Sequence, residues 1–209
     1  MKTGSSRQTQ IKICGLTKLE QALSCAEMGA DLIGLNCWNG SSRYIIPEII
    51  SEIVSELPES ARTVGVFVND SPDTINNVMK QTGMNLAQLH GDEAVETCEK
   101  LEFPWFKAFR ISPKFKMSLI KHYKQETFLV DAYSKHHFGG SGQKINIDLA
   151  SKASGLGKMI LAGGLTPENV EDAGEKVKPW GVDVCSGVER SPGIKDMLLV
   201  EKFINTIIK

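Results

Sequence analysis

Short apolar segments rich in β-branched residues alternate along the chain with longer segments of helical period. Each short segment is four to six residues long, the usual length of a buried strand. Helix starts between them are marked by the N-cap or N1 residues Thr17, Pro47, Ser71 and Thr166. Eight strands are predicted, over residues 11–14, 31–35, 63–68, 86–89, 105–109, 128–131, 159–162 and 182–185.

Such repeated strand–helix units form either a closed parallel barrel or an open doubly wound sheet. An open sheet concentrates its ligand site at one switch point, whereas a barrel gathers its site from the carboxyl ends of all its strands. Here a polar residue or a glycine follows every predicted strand, from Cys14 in the first to Ser186 after the eighth. The sequence therefore predicts an α/β protein with a single-domain (β/α)8 TIM barrel over residues 11–209. The polar residues 1–10 predict a short flexible N-terminal tail.

Composition narrows the range of partners. The chain has 24 Lys and Arg against 25 Asp and Glu, a net charge of −1, so it lacks the basic excess that nucleic-acid phosphates attract. No apolar stretch approaches the roughly 18 residues that a membrane span needs, and no signal-peptide pattern begins the chain. Five widely spaced cysteines indicate free thiols rather than a disulfide framework. We expect a cytoplasmic protein that binds neither nucleic acid nor a membrane.

Two glycine-containing turns follow the last two predicted strands, where barrels commonly bind phosphate. Gly163 and Gly164 form the first turn, and Ser186 and Gly187 form the second. Glycine lets backbone N–H groups approach an anion, and a nearby helix start adds its positive dipole end. The alternative is that these glycines only make tight strand–helix turns. Neither turn has the G-x-x-x-x-G-K-[ST] pattern, so nucleotide hydrolysis is not indicated.

An ionisable residue ends both the first and the sixth predicted strands. Cys14 is followed by a glycine that would expose it at the barrel mouth; the alternative is a core cysteine. A thiol ionised by a nearby cation can act as a general base. Asp131 ends an apolar run and either caps the next turn or faces a ligand. A carboxyl group buried among apolar neighbours keeps the proton that a general acid donates. Together they can remove one substrate proton and supply another.

Three further features bear on the site. Arg43 offers a fork of donors to a substrate carboxylate, with a solvent-facing side chain as the alternative. Asp183 also points to the predicted mouth, with capping as its alternative. His136 and His137 are adjacent and have no third ligand at suitable spacing, so we expect no metal site. The polar, glycine-containing segment 133–142 predicts a mobile lid.

A set of short motifs, specific in combination, resembles one known family. In order and spacing, the chain from Ile11 to Lys209 resembles the phosphoribosylanthranilate isomerases of tryptophan biosynthesis. The motifs are Lys12-Ile13-Cys14-Gly15-Leu16-Thr17, Ser42-Arg43-Tyr44, Gln88-Leu89-His90-Gly91, Phe138-Gly139-Gly140-Ser141-Gly142, Gly163-Gly164-Leu165-Thr166-Pro167-Glu168-Asn169-Val170 and Val182-Asp183-Val184-Cys185-Ser186-Gly187-Val188-Glu189.

The resemblance implies a (β/α)8 barrel enzyme that needs no cofactor and takes a small-molecule phosphoribosyl substrate, as a monomer or a homodimer. It implies an Amadori rearrangement of N-(5-phosphoribosyl)anthranilate to 1-(2-carboxyphenylamino)-1-deoxyribulose 5-phosphate. Asp131 matches the general acid that protonates the ribose ring oxygen, and Cys14 matches the general base that removes the C2 proton. Arg43 matches the arginine that receives the anthranilate carboxylate. The remaining matches are Gln88, His90 and Asp183 for substrate binding, and Gly163, Gly164, Ser186 and Gly187 for the phosphate.

Two alternatives have different chemistry. Another phosphosugar barrel, such as an epimerase or the related histidine-pathway isomerase, would place two carboxylates as acid and base, and Cys14 disfavours it. A non-catalytic phosphoribosyl sensor would not need an ionisable pair, so the combination of Cys14 with Asp131 disfavours it as well. The chain departs from the family in residues 35–40, where a more polar loop follows the second strand, and after Gly142, where a Phe-Asp-Trp run is missing.

Overall fold

A computed structural model of the protein describes residues 9–132 and 147–208. Eight parallel strands close into a barrel in chain order, which confirms the predicted (β/α)8 fold. The barrel strands are β1 (Gln10–Cys14), β2 (Leu32–Asn36), β3 (Arg62–Phe67), β4 (Leu86–Leu89), β5 (Trp105–Ile111), β6 (Thr127–Ala132), β7 (Lys158–Leu161) and β8 (Gly181–Val184). The helices are α1 (Leu19–Glu27), α2 (Pro47–Glu56), α3 (Pro72–Thr82), α4 (Val95–Cys98), α5 (Ser118–His122), α6 (Ile147–Ser154), α7 (Val170–Val177) and α8 (Met197–Ile208).

Two apolar layers follow from the alternation of side chains along each strand. Outward-facing residues such as Ile13, Phe67 and Phe128 pack under the helices in the larger cluster. Inward-facing residues such as Phe106 and Leu129 fill the barrel interior in the smaller cluster. These apolar side chains fill the barrel near the amino ends of the strands. Polar side chains that face inward lie near the carboxyl ends of the strands. Among the described helices, none combines the length and the apolar character that crossing a bilayer would require.

The strand bounds agree with the predictions to within about two residues, whereas several helix bounds differ. β1 starts at Gln10, one residue early, because the Gln10 amide donates to the Trp180 carbonyl at 2.9 Å. Lys18 rather than Thr17 is the N-cap of α1, since the Thr17 hydroxyl donates to the Gly193 carbonyl at 2.6 Å instead. The predicted helix after Pro113 is reduced to α5.

The start of α7 is also displaced, from the predicted Thr166 to Val170. Asn169 explains the delay, because its side chain donates to the Gly164 carbonyl at 2.9 Å and accepts from the Thr166 amide at 2.8 Å. These bonds hold the segment before α7 as a turn, and Asn169 itself becomes the N-cap position.

A hairpin that the sequence pattern did not predict follows β8. A 3₁₀ turn over Ser186–Val188 leads into β9 (Glu189–Ser191), which pairs antiparallel with β10 (Ile194–Lys195) around Gly193. The predicted tail up to residue 8, the predicted lid at 133–142 and the pair His136 and His137 lie outside the described residues.

A buried ion pair connects the loops at one side of the barrel mouth. Lys107, on β5, places Nζ 3.1 Å from Glu93 Oε2 and donates to the carbonyls of Leu89 and Gly91 at 3.1 and 2.9 Å. Glu93 Oε1 accepts from the amides of Asn69 and Gly91 at 2.8 and 3.0 Å. Both side chains are nearly inaccessible to solvent, so each charge depends on the other for its compensation.

We expect Glu93→Ala to lower the free energy of unfolding by about 3–5 kcal/mol, because it leaves the Lys107 charge buried without its partner. Urea unfolding followed by circular dichroism measures the change. Glu96→Ala is the matched control, since Glu96 is exposed on the neighbouring helix and its loss should change stability little. Equal unfolding free energies for the two variants would contradict a stabilising role of the pair.

Candidate active site

An open cavity lies at the carboxyl ends of the barrel strands. Every site residue predicted from the sequence lines it: Cys14, Arg43, Gln88, His90, Asp131, Gly163, Gly164, Asp183, Ser186 and Gly187. The structure therefore brings together residues that lie up to 173 positions apart in the sequence.

A lysine that the sequence analysis did not select lies beneath the cavity. Lys12 is fully buried inside the barrel and its Nζ is 2.9 Å from Asp183 Oδ1. Burial opposes the charge of Lys12, but Asp183 and then Cys14 outweigh it and the pKa of the amine is raised. Burial also raises the pKa of Asp183 to about 7, against the opposing effect of Lys12. A persistent positive charge thus lies directly below Cys14.

Cys14 is half-buried at the end of β1 and faces the same side of the strand as Lys12. Its thiol pKa is held well below the ordinary value. The largest cause is a hydrogen bond with the Cys185 thiol; burial opposes it, and the charges of Lys12 and Lys195 add to it. As the donor in this pair, Cys185 has a raised pKa, and its burial raises it further. The hydrogen bond and the charges around Cys14 therefore favour its thiolate, whereas Cys185, whose Sγ also donates to Glu189 Oε1 at 3.8 Å, keeps its proton.

Asp131 lies at the end of β6, three strands from β1 around the barrel. It is 4% exposed, and its Oδ2 is 3.4 Å from Nε2 of His90. Gln88 Nε2 lies 2.8 Å from His90 Nδ1. With the Gln88 amide as donor, the proton of a neutral His90 ring is on Nε2 and faces Asp131. Gln88 thus orients His90, and His90 in turn lies beside the carboxyl group.

Arg43 lines the cavity but does not face solvent freely. Its Nε donates to Glu189 Oε1 at 2.9 Å and its Nη2 to Oε2 at 2.6 Å, a two-point contact. Glu189 also accepts from Lys195 Nζ at 2.9 Å. Burial opposes the charge of Glu189, yet these two cations outweigh it and its pKa is lowered. Gly15, at φ +73°, makes room: a Cβ there would lie 2.6 Å from Arg43 Cδ.

The two predicted phosphate turns contact each other. A Cβ on Gly187 would lie 1.9 Å from the Leu165 carbonyl oxygen, so only glycine permits this approach. Gly163 and Gly164 have φ of 103° and 67°, in the left-handed region that glycine enters without strain. In the described part of the chain, the amides of Gly163 and Gly164 donate to no protein acceptor. These N–H groups are therefore available to an anion in the cavity.

The sequence analysis missed Lys12, Lys195 and the role of Glu189 at this site. Lys12 could have been predicted from the sequence, because strict alternation places it on the same face of β1 as Cys14. Glu189 and Lys195 could not, since the hairpin at Gly193 determines where their side chains point. Among the described residues, no group of three or more His, Cys, Asp or Glu side chains is arranged to hold a metal.

Comparisons of the sequence and of the fold with known proteins all identify the same enzyme family. The family model for N-(5′-phosphoribosyl)anthranilate isomerase matches residues 11–206. An N-(5′-phosphoribosyl)anthranilate isomerase of Geobacter sulfurreducens is 45% identical over 195 residues, which cover 93% of this chain and 96% of that protein. Monomers derived from the dimeric enzyme of Thermotoga maritima superpose with a TM-score of 0.86 at 37% identity, over 95% of this chain and 98% of theirs. The same values hold for a complex with reduced 1-(o-carboxyphenylamino)-1-deoxyribulose 5-phosphate.

We expect ultraviolet absorbance to show one thiolate forming well below the ordinary pKa of a cysteine, about 8.5. The reason is that the Cys185 hydrogen bond and the nearby lysines stabilise the Cys14 anion. The absorbance step should disappear in Cys14→Ser. It should persist in Cys37→Ser, because burial raises the pKa of that thiol to about 12. A step that survives in Cys14→Ser would assign the thiolate to another residue.

Proposed function

The chain belongs to the N-(5′-phosphoribosyl)anthranilate isomerase family, and on that premise we propose that Cys14 is its general base and Asp131 its general acid. The enzyme isomerises N-(5′-phosphoribosyl)anthranilate in tryptophan biosynthesis. The observation that carries the assignment of roles is the position of a thiolate-stabilising cation, Lys12, directly under Cys14 in a cavity that Asp131 also lines.

The first step opens the ribose ring. Asp131 donates its proton to the ring oxygen as the bond from C1 to that oxygen breaks, and the electron pair of the anthranilate nitrogen forms a Schiff base at C1. Gln88 orients the His90 ring through the 2.8 Å contact with Nδ1, and His90 Nε2 lies 3.4 Å from the carboxyl group. Asp131 is almost fully buried, so little of its carboxyl group is accessible to water.

The second step moves a proton from C2. The Cys14 thiolate takes the C2 proton, and the electrons of that bond form an enol-amine while the Schiff base nitrogen becomes neutral. The enol-amine then tautomerises, as its hydroxyl proton is lost and C1 gains a proton, which gives the aminoketose. A thiol serves this step because its pKa, lowered by Cys185 and the lysines, makes the base available near neutral pH.

The phosphate end of the substrate would be held by the two contacting turns. The free amides of Gly163 and Gly164 and the turn at Ser186 and Gly187 line the same part of the cavity. Backbone donors suit a phosphate because they need no side-chain ordering and add no counter-charge to the site. Asn169 supports the first turn through its bonds to Gly164 and Thr166.

The anthranilate end would be recognised by residues of the segment after β2. Arg43 is oriented by Glu189, and we assign to it the carboxylate of the substrate. Trp38, on the same segment, also lines the cavity, and a Cβ on Gly40 would lie 2.4 Å from its ring, so the indole lies over the polar loop that distinguishes this chain. The aromatic face of Trp38 is a suitable contact for the anthranilate ring. Asp183, which accepts a hydrogen bond from Lys12, lines the bottom of the cavity.

Other properties of the enzyme are proposals as well. General acid–base chemistry of this kind requires no cofactor. The near-neutral charge of the chain supports an enzyme that does not bind nucleic acid. Its place in amino-acid biosynthesis supports a cytoplasmic location. A relative is described as dimeric, and this chain is proposed to act as a monomer or a homodimer.

We expect Cys14→Ser and Asp131→Asn each to lower kcat by about 10²–10⁴-fold, the usual contribution of one general acid or base. The loss of substrate fluorescence on conversion measures turnover. Circular dichroism checks that each variant is folded. Rates like those of the unmodified enzyme in both variants would refute the mechanism, and a third variant, Cys37→Ser, controls for general effects of removing a half-buried thiol.

We expect Gly187→Ala to raise KM by about tenfold or more while kcat changes little, because the new Cβ forces apart the turns that donate to the phosphate. Competitive inhibition by ribose 5-phosphate should weaken in parallel. Gly155→Ala is the matched control, since its Cβ would lie an ordinary 3.8 Å from the nearest atom. An unchanged KM in a folded Gly187→Ala enzyme would place the phosphate elsewhere.

A further inference from the structure

We propose that Cys14 and Cys185 are a site of reversible oxidation, which a hydroperoxide converts into a disulfide that switches the enzyme off. The chemical part of this proposal, formation of the disulfide, stands on the geometry of β1 and β8. The switching part rests on the role proposed above for Cys14, because a sulfur bound in a disulfide cannot act as a base.

The register of the barrel sets the two cysteines side by side. β1 pairs with β8 in parallel, with Lys12 opposite Asp183 and Ile13 opposite Val184. Cys14 is the next residue of β1, Cys185 directly follows the last residue of β8, and both line the cavity. Neighbouring strands lie about 4.8 Å apart. That spacing is within the Cα separation of about 4.4–6.8 Å that a disulfide requires.

The surroundings of the pair leave room for the sulfur atoms to meet. Cys14 Sγ lies on the side of Gly34 in β2, where a Cβ would be only 2.8 Å away. Cys185 Sγ lies beside Gly15, 2.9 Å from the position of a Cβ there. The missing side chains of the two glycines leave space beside both sulfur atoms, and formation of the bond requires these atoms to close from hydrogen-bonding to bonding distance.

The electrostatics of the pair match those of a reactive thiol and its resolving partner. Lys12 and Lys195 lie near the sulfur atoms: Lys195 Nζ donates to Cys185 Sγ at 3.8 Å, and Cys185 Sγ in turn donates to Glu189 Oε1 at 3.8 Å. An electropositive setting that opens to a cavity is characteristic of cysteines that react with oxidants. Cys14 carries the negative charge and attacks, whereas Cys185 keeps its proton until it is needed.

The other three cysteines lack this setting. Cys25 and Cys98 are fully buried under the helices. Cys37 is half-buried, but its thiol donates to the Leu35 carbonyl at 3.8 Å and packs against the outer core. Burial raises the pKa of Cys37 to about 12, so it supplies almost no thiolate at neutral pH. Oxidation should therefore begin at Cys14.

The reaction proceeds in two balanced steps. The Cys14 thiolate attacks one oxygen of hydrogen peroxide, the O–O bond breaks, and a sulfenic acid and hydroxide are formed. The Cys185 thiol then attacks the Cys14 sulfur, the S–O bond breaks, and the hydroxyl group leaves as water with the Cys185 proton. The sulfur atoms together lose two electrons, which the peroxide accepts. A dithiol such as dithiothreitol returns those electrons and restores both thiols.

Peptide mapping of the full-length enzyme tests the disulfide itself. After hydrogen peroxide treatment and tryptic digestion without reductant, the Cys14 peptide, residues 13–18, should be linked to the Cys185 peptide, residues 177–190. Its mass should equal the sum of the two peptides less two hydrogen atoms. The link should disappear with dithiothreitol and should form normally in Cys37→Ser. A map in which Cys14 is oxidised but never linked to Cys185 would overturn the proposal.

Activity tests the switch, with each variant compared with its own untreated rate. Turnover should fall in proportion to the linked peptide and recover fully with dithiothreitol. In Cys185→Ser the sulfenic acid has no resolving thiol and is oxidised further, so peroxide should cause a loss that dithiothreitol does not reverse. Equal recovery in Cys185→Ser and the unmodified enzyme would contradict the resolving role of Cys185. Linked enzyme with undiminished turnover would instead refute the base role of Cys14, and leave the disulfide established.

Discussion

The buried ion pair between Lys12 and Asp183 is the constraint around which the active site is built. It joins β1 to β8, where the barrel closes, and it places an ammonium group in an interior that is otherwise apolar. Such a charge is costly to bury and persists only with an anion in hydrogen-bonding contact. Asp183 supplies that anion in part, and a thiolate at Cys14 supplies more. The ionised state of Cys14 is thus tied to the compensation of a charge that the fold already holds.

The charges around the cavity are balanced. Three cations face three anions: Lys12, Lys195 and Arg43 against Asp183, Glu189 and the Cys14 thiolate. Because Glu189 is shared by Arg43 and Lys195, the hairpin that carries it fixes the arginine and delivers the lysine toward the thiols. Without the Cys14 charge, the three cations outnumber the two carboxylates. Ionisation of Cys14 neutralises this excess positive charge. The hairpin between β8 and α8 therefore contributes two of the charged side chains that surround the cavity.

The sequence predicted the barrel well because its strands are buried on both faces and so read as short apolar runs. It predicted the cavity residues because carboxyl-terminal strand ends converge in any such barrel. The start of α7 was wrong because Asn169 captures the preceding turn through side-chain bonds that a cap signal at Thr166 does not reveal. The partners of Arg43 were missed since Glu189 lies 146 positions away, on a hairpin with no alternating pattern.

The thiol at Cys185 connects the two properties argued for Cys14. A base that is ionised near neutral pH is favoured by a hydrogen-bond donor beside it, and we assign that part to Cys185, which directly follows β8. A hydroxyl group at the same position would donate as well, but it could not accept a sulfur–sulfur bond. For proton transfer, a hydroxyl group at position 185 would therefore serve as well as a thiol. The thiol additionally forms a disulfide with Cys14 after its first oxidation, before the irreversible oxidation steps that would destroy the base. Under the two roles that we propose, the residue that prepares Cys14 for catalysis is also the residue placed to protect it.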